Sequence, residues 1–428
     1  MNADPGLRTR GEVRWGLAVF GFAMLLAYAG LYPFTGWTTR GVNLLAFILT
    51  PSVSGRAPWS DMVANVLAYI PFGLFLVRWR RDRARRLDAI VIPALIGALL
   101  SFAIEFLQQF LPVRIASLTD ILANTTGTII GAYLASIRTA ESVAWRMVTR
   151  RRHQWFRPGR LADLGLIVIG LWTLSQLAPL VPSLDLGNIR QGLSPAWQTL
   201  QHPDRFSFMQ WATYALYIAG LALLALTLAA PGKRVFGRFF VFVACVLLAK
   251  ILIMTRQLSL EAVTGALAAL GLALQFVRLP LEKTARVSAS FIVCGFAVAE
   301  LASDSAGMTT PFHWIPFASA MEHPLIGLEA IIDVSWPAAA LAYLARFASP
   351  PDQQRLVRMR GALLLALLVF GLEWYQQHLP GRVGDITTVL LTTGTWMLFW
   401  WIPVTDAGVD TSEVDGAGPT PSGNRGRM

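Results

Sequence analysis

Glu105 stands about two turns before Pro112 in an otherwise apolar stretch, with Gln108 and Gln109 at i+3 and i+4 on the same helical face. A carboxylate in such surroundings is costly unless it is paired or meets water, which marks it as a candidate for ligand or proton chemistry. Arg114, in the following turn, is the nearest cation and could pair with Glu105 or neutralise a phosphate. Asp120 and Asn124 follow, and Gly127 and Gly131 continue the face as acid, amide, glycine, glycine. Glycines at that spacing let helices approach closely, which would carry Asp120 and Asn124 toward Glu105. Upstream, Asn65 precedes Pro71-Phe72-Gly73, a sequence expected to kink its helix and free backbone carbonyls. Asn65, Glu105, Gln108, Gln109, Arg114, Asp120 and Asn124 are therefore expected to line one small pocket. Two roles fit the set: a ligand or catalytic site, or a clasp tying helices together. Glu105 and Asp120 could serve as an acid–base pair for phosphoryl or glycosyl transfer on a lipid headgroup, but no dedicated nucleophile accompanies them.

The pattern returns near the end of the chain. Ile104 to Arg114 recurs as Leu372 to Arg382, an ungapped offset of 268 residues that repeats Glu373, Gln376, Gln377 and Arg382. The same register pairs Asn65 with Asp333 and Arg78 with Arg346. It places Thr388 and Thr392 where an acid and an amide are expected, and Thr395 and Phe399 in place of the glycines. Asp385 appears instead three residues after Arg382, so Glu373, Gln377, Arg382 and Asp385 form a second candidate ligand set. In the middle of the chain, Arg256 occupies the turn that Arg114 and Arg382 occupy in theirs, a match of position rather than of chemistry. Lys250 there is expected to face a glutamate across a helix contact, with Glu261 and Glu300 near helix ends.

These residues need helices in lipid to position them. Apolar residues make up 55% of the 428 and charged ones only 14%, where a water-soluble surface needs roughly 25%. Twelve candidate spans follow, near 13–32, 60–77, 88–111, 118–138, 161–181, 209–229, 236–254, 259–277, 285–302, 328–347, 358–380 and 384–404. Most approach the roughly 20 residues that cross a bilayer core, and helices are required because open sheet edges find no partners in lipid. The expected class is all-α, a polytopic membrane protein of about 12 spans built from parallel four-helix repeats. Its units are a first at 13–140, a degenerate middle one at 161–280, a last at 285–405, and a disordered tail at 406–428. The first apolar run reads as a membrane helix rather than a cleaved leader. The loop Pro182–Ser207 is expected to carry a short interfacial helix with Trp197.

Charge orients the spans. Of the 36 Lys and Arg residues, 28 fall in alternate loops and the two termini, against seven in the opposite loops, which places both termini in the cytoplasm. That distribution also accounts for the net charge of +11 without a nucleic-acid partner. Cys245 and Cys294 fall inside spans, where each is expected to be a small buried apolar group rather than half of a disulfide. His313, His323 and His378 lack metal-site spacing, no nucleotide loop is present, and no metal or cofactor is expected.

The first unit resembles the VanZ-like membrane proteins, named for a teicoplanin-resistance accessory protein. The resemblance rests on Asn43-Leu44-Leu45-Ala46-Phe47, on Asn65 with Tyr69-Ile70-Pro71-Phe72-Gly73, on Glu105 to Gln109, on Pro112-Val113-Arg114, and on Asp120 to Asn124 with Gly127 and Gly131. It covers about 40–135 well and 312–400 in weaker form. Ala46 and Ser117 stand where the family usually carries Pro and often Asp, whereas the last unit has Pro316 and Asp385 at those places. The resemblance implies a bacterial inner-membrane protein of the cell envelope, connected with glycopeptide tolerance or surface-polysaccharide production. It supplies no mechanism. The first expectation is an accessory protein that binds an amphipathic or lipid-linked envelope component near the outer leaflet, with membrane lipid or a lipid-linked glycan as ligand and envelope-biosynthesis proteins as partners. An enzyme acting on a lipid-linked glycan or phospholipid headgroup, and a proton-coupled transporter, are the alternatives.

Overall fold

A computed structural model of the chain describes residues 5–32, 37–39, 59–80, 88–112, 114–137, 150, 152–178, 183, 185–302, 309–317, 324–402 and 404. The expectations for Asn43 to Phe47, Val113, His323 and the tail at 406–428 concern residues outside that set. In chain order the helices are α1 (Pro5–Leu31), α2 (Trp59–Trp79), α3 (Asp88–Gln108), α4 (Leu118–Ile137), α5 (Arg160–Leu177), α6 (Leu186–Gln201), α7 (Phe208–Leu228), α8 (Val235–Ala249), α9 (Leu260–Leu274), α10 (Leu281–Leu301), α11 (Pro324–Ala348), α12 (Gln354–Gln376) and α13 (Ile386–Trp401). Among the described residues, β-structure is confined to two isolated bridges, Phe156 with Ala229 and His313 with Asp385. Short polar side chains start several helices: Ser207, Ser259 and Asp385 accept from the backbone N–H groups of Gln210, Ala262 and Thr387.

Each segment expected to span contains helix. Seven described helices are long and apolar enough to cross a membrane: Met62–Trp79, Asp88–Gln108, Arg160–Leu177, Phe208–Leu228, Val235–Leu252, Leu281–Leu301 and Glu329–Ala348. Trp15–Leu31 and Leu260–Leu274 are shorter apolar helices. The chain is an all-α, multi-pass membrane protein. The Pro182–Ser207 region contains α6, on which Leu186, Trp197 and Leu200 are exposed.

Packing gives the described helices two main bodies of core and a small third one of Val77 on α2 with Ala132 and Ala135 on α4. The first joins Leu26 of α1 with Tyr69, Phe72 and Leu76 of α2 and Ile104 of α3. The second is continuous from α5 to α13 and runs through Trp172, Leu224, Val246, Ala269, Ile292, Tyr343, Val369 and Trp396. At its centre α7 lies between α9 and α10: the Ser288 hydroxyl donates to the Gly220 carbonyl at 2.7 Å, and a Cβ on Gly265 would sit 2.9 Å from the Trp211 carbonyl oxygen. The helices of 161–280 and 285–405 thus share one apolar interior.

One local expectation is corrected. Cys245 and Cys294 are free thiols on exposed helix surfaces, not core groups, because a lipid-facing surface is as apolar as an interior. Pro71 lies inside α2, which runs from Trp59 to Trp79.

Candidate functional site

The elements that meet at Glu105 are held by an arginine turn. After α3 the chain closes with backbone bonds from Leu111 N–H to the Gln108 carbonyl and from Arg114 N–H to the Leu111 carbonyl, at 2.9 and 3.0 Å. The Arg114 guanidinium then reaches back to α1, donating to the carbonyls of Tyr32 at 3.0 Å and Ala29 at 3.4 Å. These are carbonyls that the end of a helix leaves without intrahelical partners, and a cation there also meets the negative end of the helix dipole.

The same turn is built twice more. After α12, Leu379 and Arg382 repeat the two backbone bonds, and Arg382 donates to the carbonyls of Ala302 and Ala299 at the end of α10, each at 2.5 Å. After α8, Ile253 and Arg256 repeat them, and Arg256 donates to the Ala178 carbonyl at the end of α5. The residue before each of these two arginines is left-handed, Gly381 at φ 72° and Thr255 at φ 67°, a conformation that glycine adopts freely and threonine at a cost. The side chain six residues before each arginine also reaches the first helix of its segment. Gln108 donates to the Gly30 carbonyl at 2.9 Å, Gln376 to Glu300 Oε2 at 2.6 Å, and Lys250 to Gln176 Oε1 at 3.3 Å. The middle arginine, matched in sequence by position alone, therefore makes the same bond as the other two.

The two recurring glutamates have equivalent surroundings. Glu105 Oε2 accepts the Ser117 N–H at 2.8 Å, and Glu373 Oε2 accepts the Asp385 N–H at 2.8 Å. In both cases the donor is the residue immediately before a helix, so each carboxylate, 2–3% exposed, docks against the positive end of the next helix. Arg114 lies within electrostatic range of Glu105 but spends its hydrogen bonds on α1, so the expected Glu105–Arg114 pair is replaced by two separate caps.

Around Glu105 the structure brings together α2, α3 and α4. Asn124 Nδ2 donates to Ser101 Oγ at 2.9 Å, joining α4 to α3 one turn from Glu105. Tyr69 hydrogen-bonds Ser101 from α2 and lies within electrostatic range of Glu105 and Asp120. Asn65 is one turn earlier on the same helix and half-buried. Close approach comes from the expected glycines, but against a different partner: a Cβ on Gly127 would lie 2.2 Å from the Val66 carbonyl oxygen, and one on Gly131 2.0 Å from that of Ile70. The glycine face thus packs on α2, while α3 reaches α4 through Gly97, whose Cβ would meet Thr128 Oγ1 at 2.3 Å. Gln109 turns back to its own helix at the Phe106 carbonyl, and Gln377 is half-buried, whereas Gln108 and Gln376 face inward. Ser101 and Tyr69 were not singled out from sequence; their signal is that each lies one turn from a candidate, Glu105 and Asn65.

A further polar group lies between the middle and last segments. Arg256 Nη2 pairs with Glu329 Oε2 at 2.8 Å, and Asp333, one turn along α11, lies within electrostatic range of Arg256 and Lys250 and hydrogen-bonds Ser175. Lys250 is buried and donates to Gln176 and to the Tyr214 hydroxyl, so the expected lysine–glutamate pair across segments is made by Arg256 instead. Among the described residues, no three His, Cys, Asp or Glu side chains gather as a metal-binding group.

No curated protein and no solved structure matches the chain. Residues 17–139, which carry α2 to α4 and the Glu105 cluster, match the family model of VanZ/LLP1.

Proposed function

We propose that the protein is an accessory component of a bacterial cytoplasmic membrane whose first four helices bind the polar head of an amphipathic or lipid-linked envelope molecule near the outer leaflet. The observation that carries this reading is the polar cluster of Tyr69, Ser101, Glu105, Asp120 and Asn124, assembled by three helices of an otherwise apolar bundle. Polar groups inside membrane helices are retained where they serve binding, coupling or association. The match of this region to the VanZ/LLP1 family supports an envelope setting. Cytoplasmic termini follow from the charge asymmetry of the loops.

Three related four-helix units, in parallel orientation, underlie the chain in this reading. The support is the threefold recurrence of one turn, with Arg114, Arg256 and Arg382 each bonded to carbonyls ending the first helix of its own segment. Binding rests with the first unit, and the others support it. Glu105 serves as a dock for α4 as well as a wall of the site, since its Oε2 is bonded to Ser117.

The test is an inventory, by mass spectrometry, of envelope lipids and lipid-linked glycans in a deletion strain complemented with wild type, Glu105→Gln or Asp120→Asn at equal abundance. Binding without turnover is expected to leave the inventory chemically unchanged, while the wild-type protein purifies with one lipid class that the variants lose. A single precursor accumulating in the deletion and in both variants would instead establish processing.

A further inference from the structure

The last segment holds a cleft away from the Glu105 cluster. It is a cavity of about 260 Å³ between α10, α11 and α12, against which the Trp396 ring of α13 also packs. Small residues make the space: alanine stands at 285, 289, 345 and 348, and a Cβ on Gly361 would run into the Trp396 ring. From Val293, Leu341 and Leu368 the cleft narrows toward Phe296, Pro337 and Thr392. Leu364, at its lip, is 67% exposed, so the cleft opens sideways onto the lipid-facing surface. Its wide end carries Arg286, an exposed side chain that forms no ion pair among the described residues, even with Glu282 one turn away. Arg358 stands one turn before Gly361 on the same face of α12, and its Nε is buried with no partner among the described residues.

Shape and charge together select the occupant. From Gly361 to Leu368 a helix rises about 10 Å, which with the cavity volume gives a cross-section of roughly 25 Å². A helix, about 10–12 Å across with its side chains, is too wide for it. An extended hydrocarbon chain fits, and its gain there is close packing against the helices. The cations at the wide end call for a negative partner. Loop charges assign that end to the cytoplasmic leaflet, whose anionic lipids attract basic residues. We propose that the cleft between α10, α11 and α12 binds one acyl chain of an anionic phospholipid of the cytoplasmic leaflet, with Arg286 and Arg358 at the mouth holding its net negative headgroup. The site is separate from the Glu105 cluster, so its failure would leave the reading of that cluster untouched.

The experiment uses the full-length protein in phosphatidylcholine nanodiscs doped with phosphatidylglycerol or phosphatidylethanolamine, each carrying the same photo-crosslinkable acyl chain. Crosslinks are mapped by peptide. The face of α8 that exposes Val241 serves as background, since its nearby cation, Arg238, already lies on the Trp155 ring at 3.8 Å. Anionic selection predicts labelling of α10 and α12 by the glycerol lipid about tenfold above the ethanolamine lipid, and well above α8 with either. Arg286→Gln, a change at an exposed position, is expected to reduce that preference, and the double variant with Arg358→Gln to abolish it. Ala289→Phe, or Leu364→Trp at the exposed lip should the first not fold, is expected to bring labelling by both lipids down to that of α8. Equal labelling of α10 and α12 by the two lipids, or a preference that survives in the double variant, would overturn the anionic assignment. Labelling of wild type no higher than at α8, or unchanged in a filled cleft at wild-type unfolding midpoint, would overturn the site itself.

Discussion

Arg114 is the residue whose chemistry departs most from its sequence context. Next to a buried glutamate and two amides it suggests an ion pair or a phosphate contact, yet its donors reach the Tyr32 and Ala29 carbonyls. A sequence shows which charges are near in number, not which helix end is short of donors, and that shortage decides the outcome here. Arg114→Gln is therefore expected to destabilise the protein, by about 1–3 kcal/mol as for loss of a charge-assisted hydrogen bond. Thermal unfolding in detergent checks this; an unchanged midpoint would contradict the capping role. Glu105, Asp120 and Asn124 were legible because an acid or amide in an apolar helix stands out. Their partners Ser101 and Tyr69 were not, because a serine or a tyrosine in such a helix is ordinary until a neighbouring helix is in place.

At the scale of elements, the contact between α2 and α4 sets the geometry of the cluster. Val66 and Ile70 present their carbonyls to Gly127 and Gly131, and Gly73 answers from the other side, where a Cβ would lie 2.0 Å from the Thr128 carbonyl oxygen. Backbone cannot yield as a side chain can, so Gly127→Val and Gly131→Val are each expected to push the helices apart and lower stability by several kcal/mol, on the order of 3 for overpacking. Gly271→Ala, with nothing within 4 Å of its added Cβ, is the neutral control. Unfolding midpoints of the three variants check this, and equal midpoints would contradict the tight contact. The glycine spacing was visible in the sequence and correctly signalled a close approach, but spacing on one helix does not name the helix that fills the gap. Helix positions were legible for a simpler reason: apolar runs of spanning length have few alternatives in lipid.

At the scale of the whole molecule, the middle and last segments are joined by apolar packing and by the Arg256–Glu329 pair, while the first segment keeps a core of its own. The first also touches the last, through the Tyr28 hydroxyl donating to the Pro316 carbonyl at 2.8 Å. Removing one member of a poorly solvated pair leaves the other unmatched. Glu329→Gln is thus expected to loosen the junction, lowering the unfolding midpoint and speeding proteolysis, whereas Asp163→Asn, which removes an exposed carboxylate from a pair with Arg152, is expected to do neither. Equal proteolysis of the two variants would show that apolar packing alone holds the junction. Sequence made the recurrence of the first segment in the last visible, because a run of eleven positions repeats without a gap. The middle segment shares only the arginine with that run, and its backbone turn and bond to the Ala178 carbonyl show that this residue is used in the same way.

The most direct measurement is the identification, by mass spectrometry, of lipids that stay with the full-length protein through purification, comparing wild type with Asp120→Asn at equal yield and unfolding midpoint. One lipid class, enriched over the bulk membrane in wild type and lost in the variant, is the result that headgroup binding at the cluster of Glu105, Asp120 and Asn124 predicts. The same lipids in the same proportions from both proteins would contradict it.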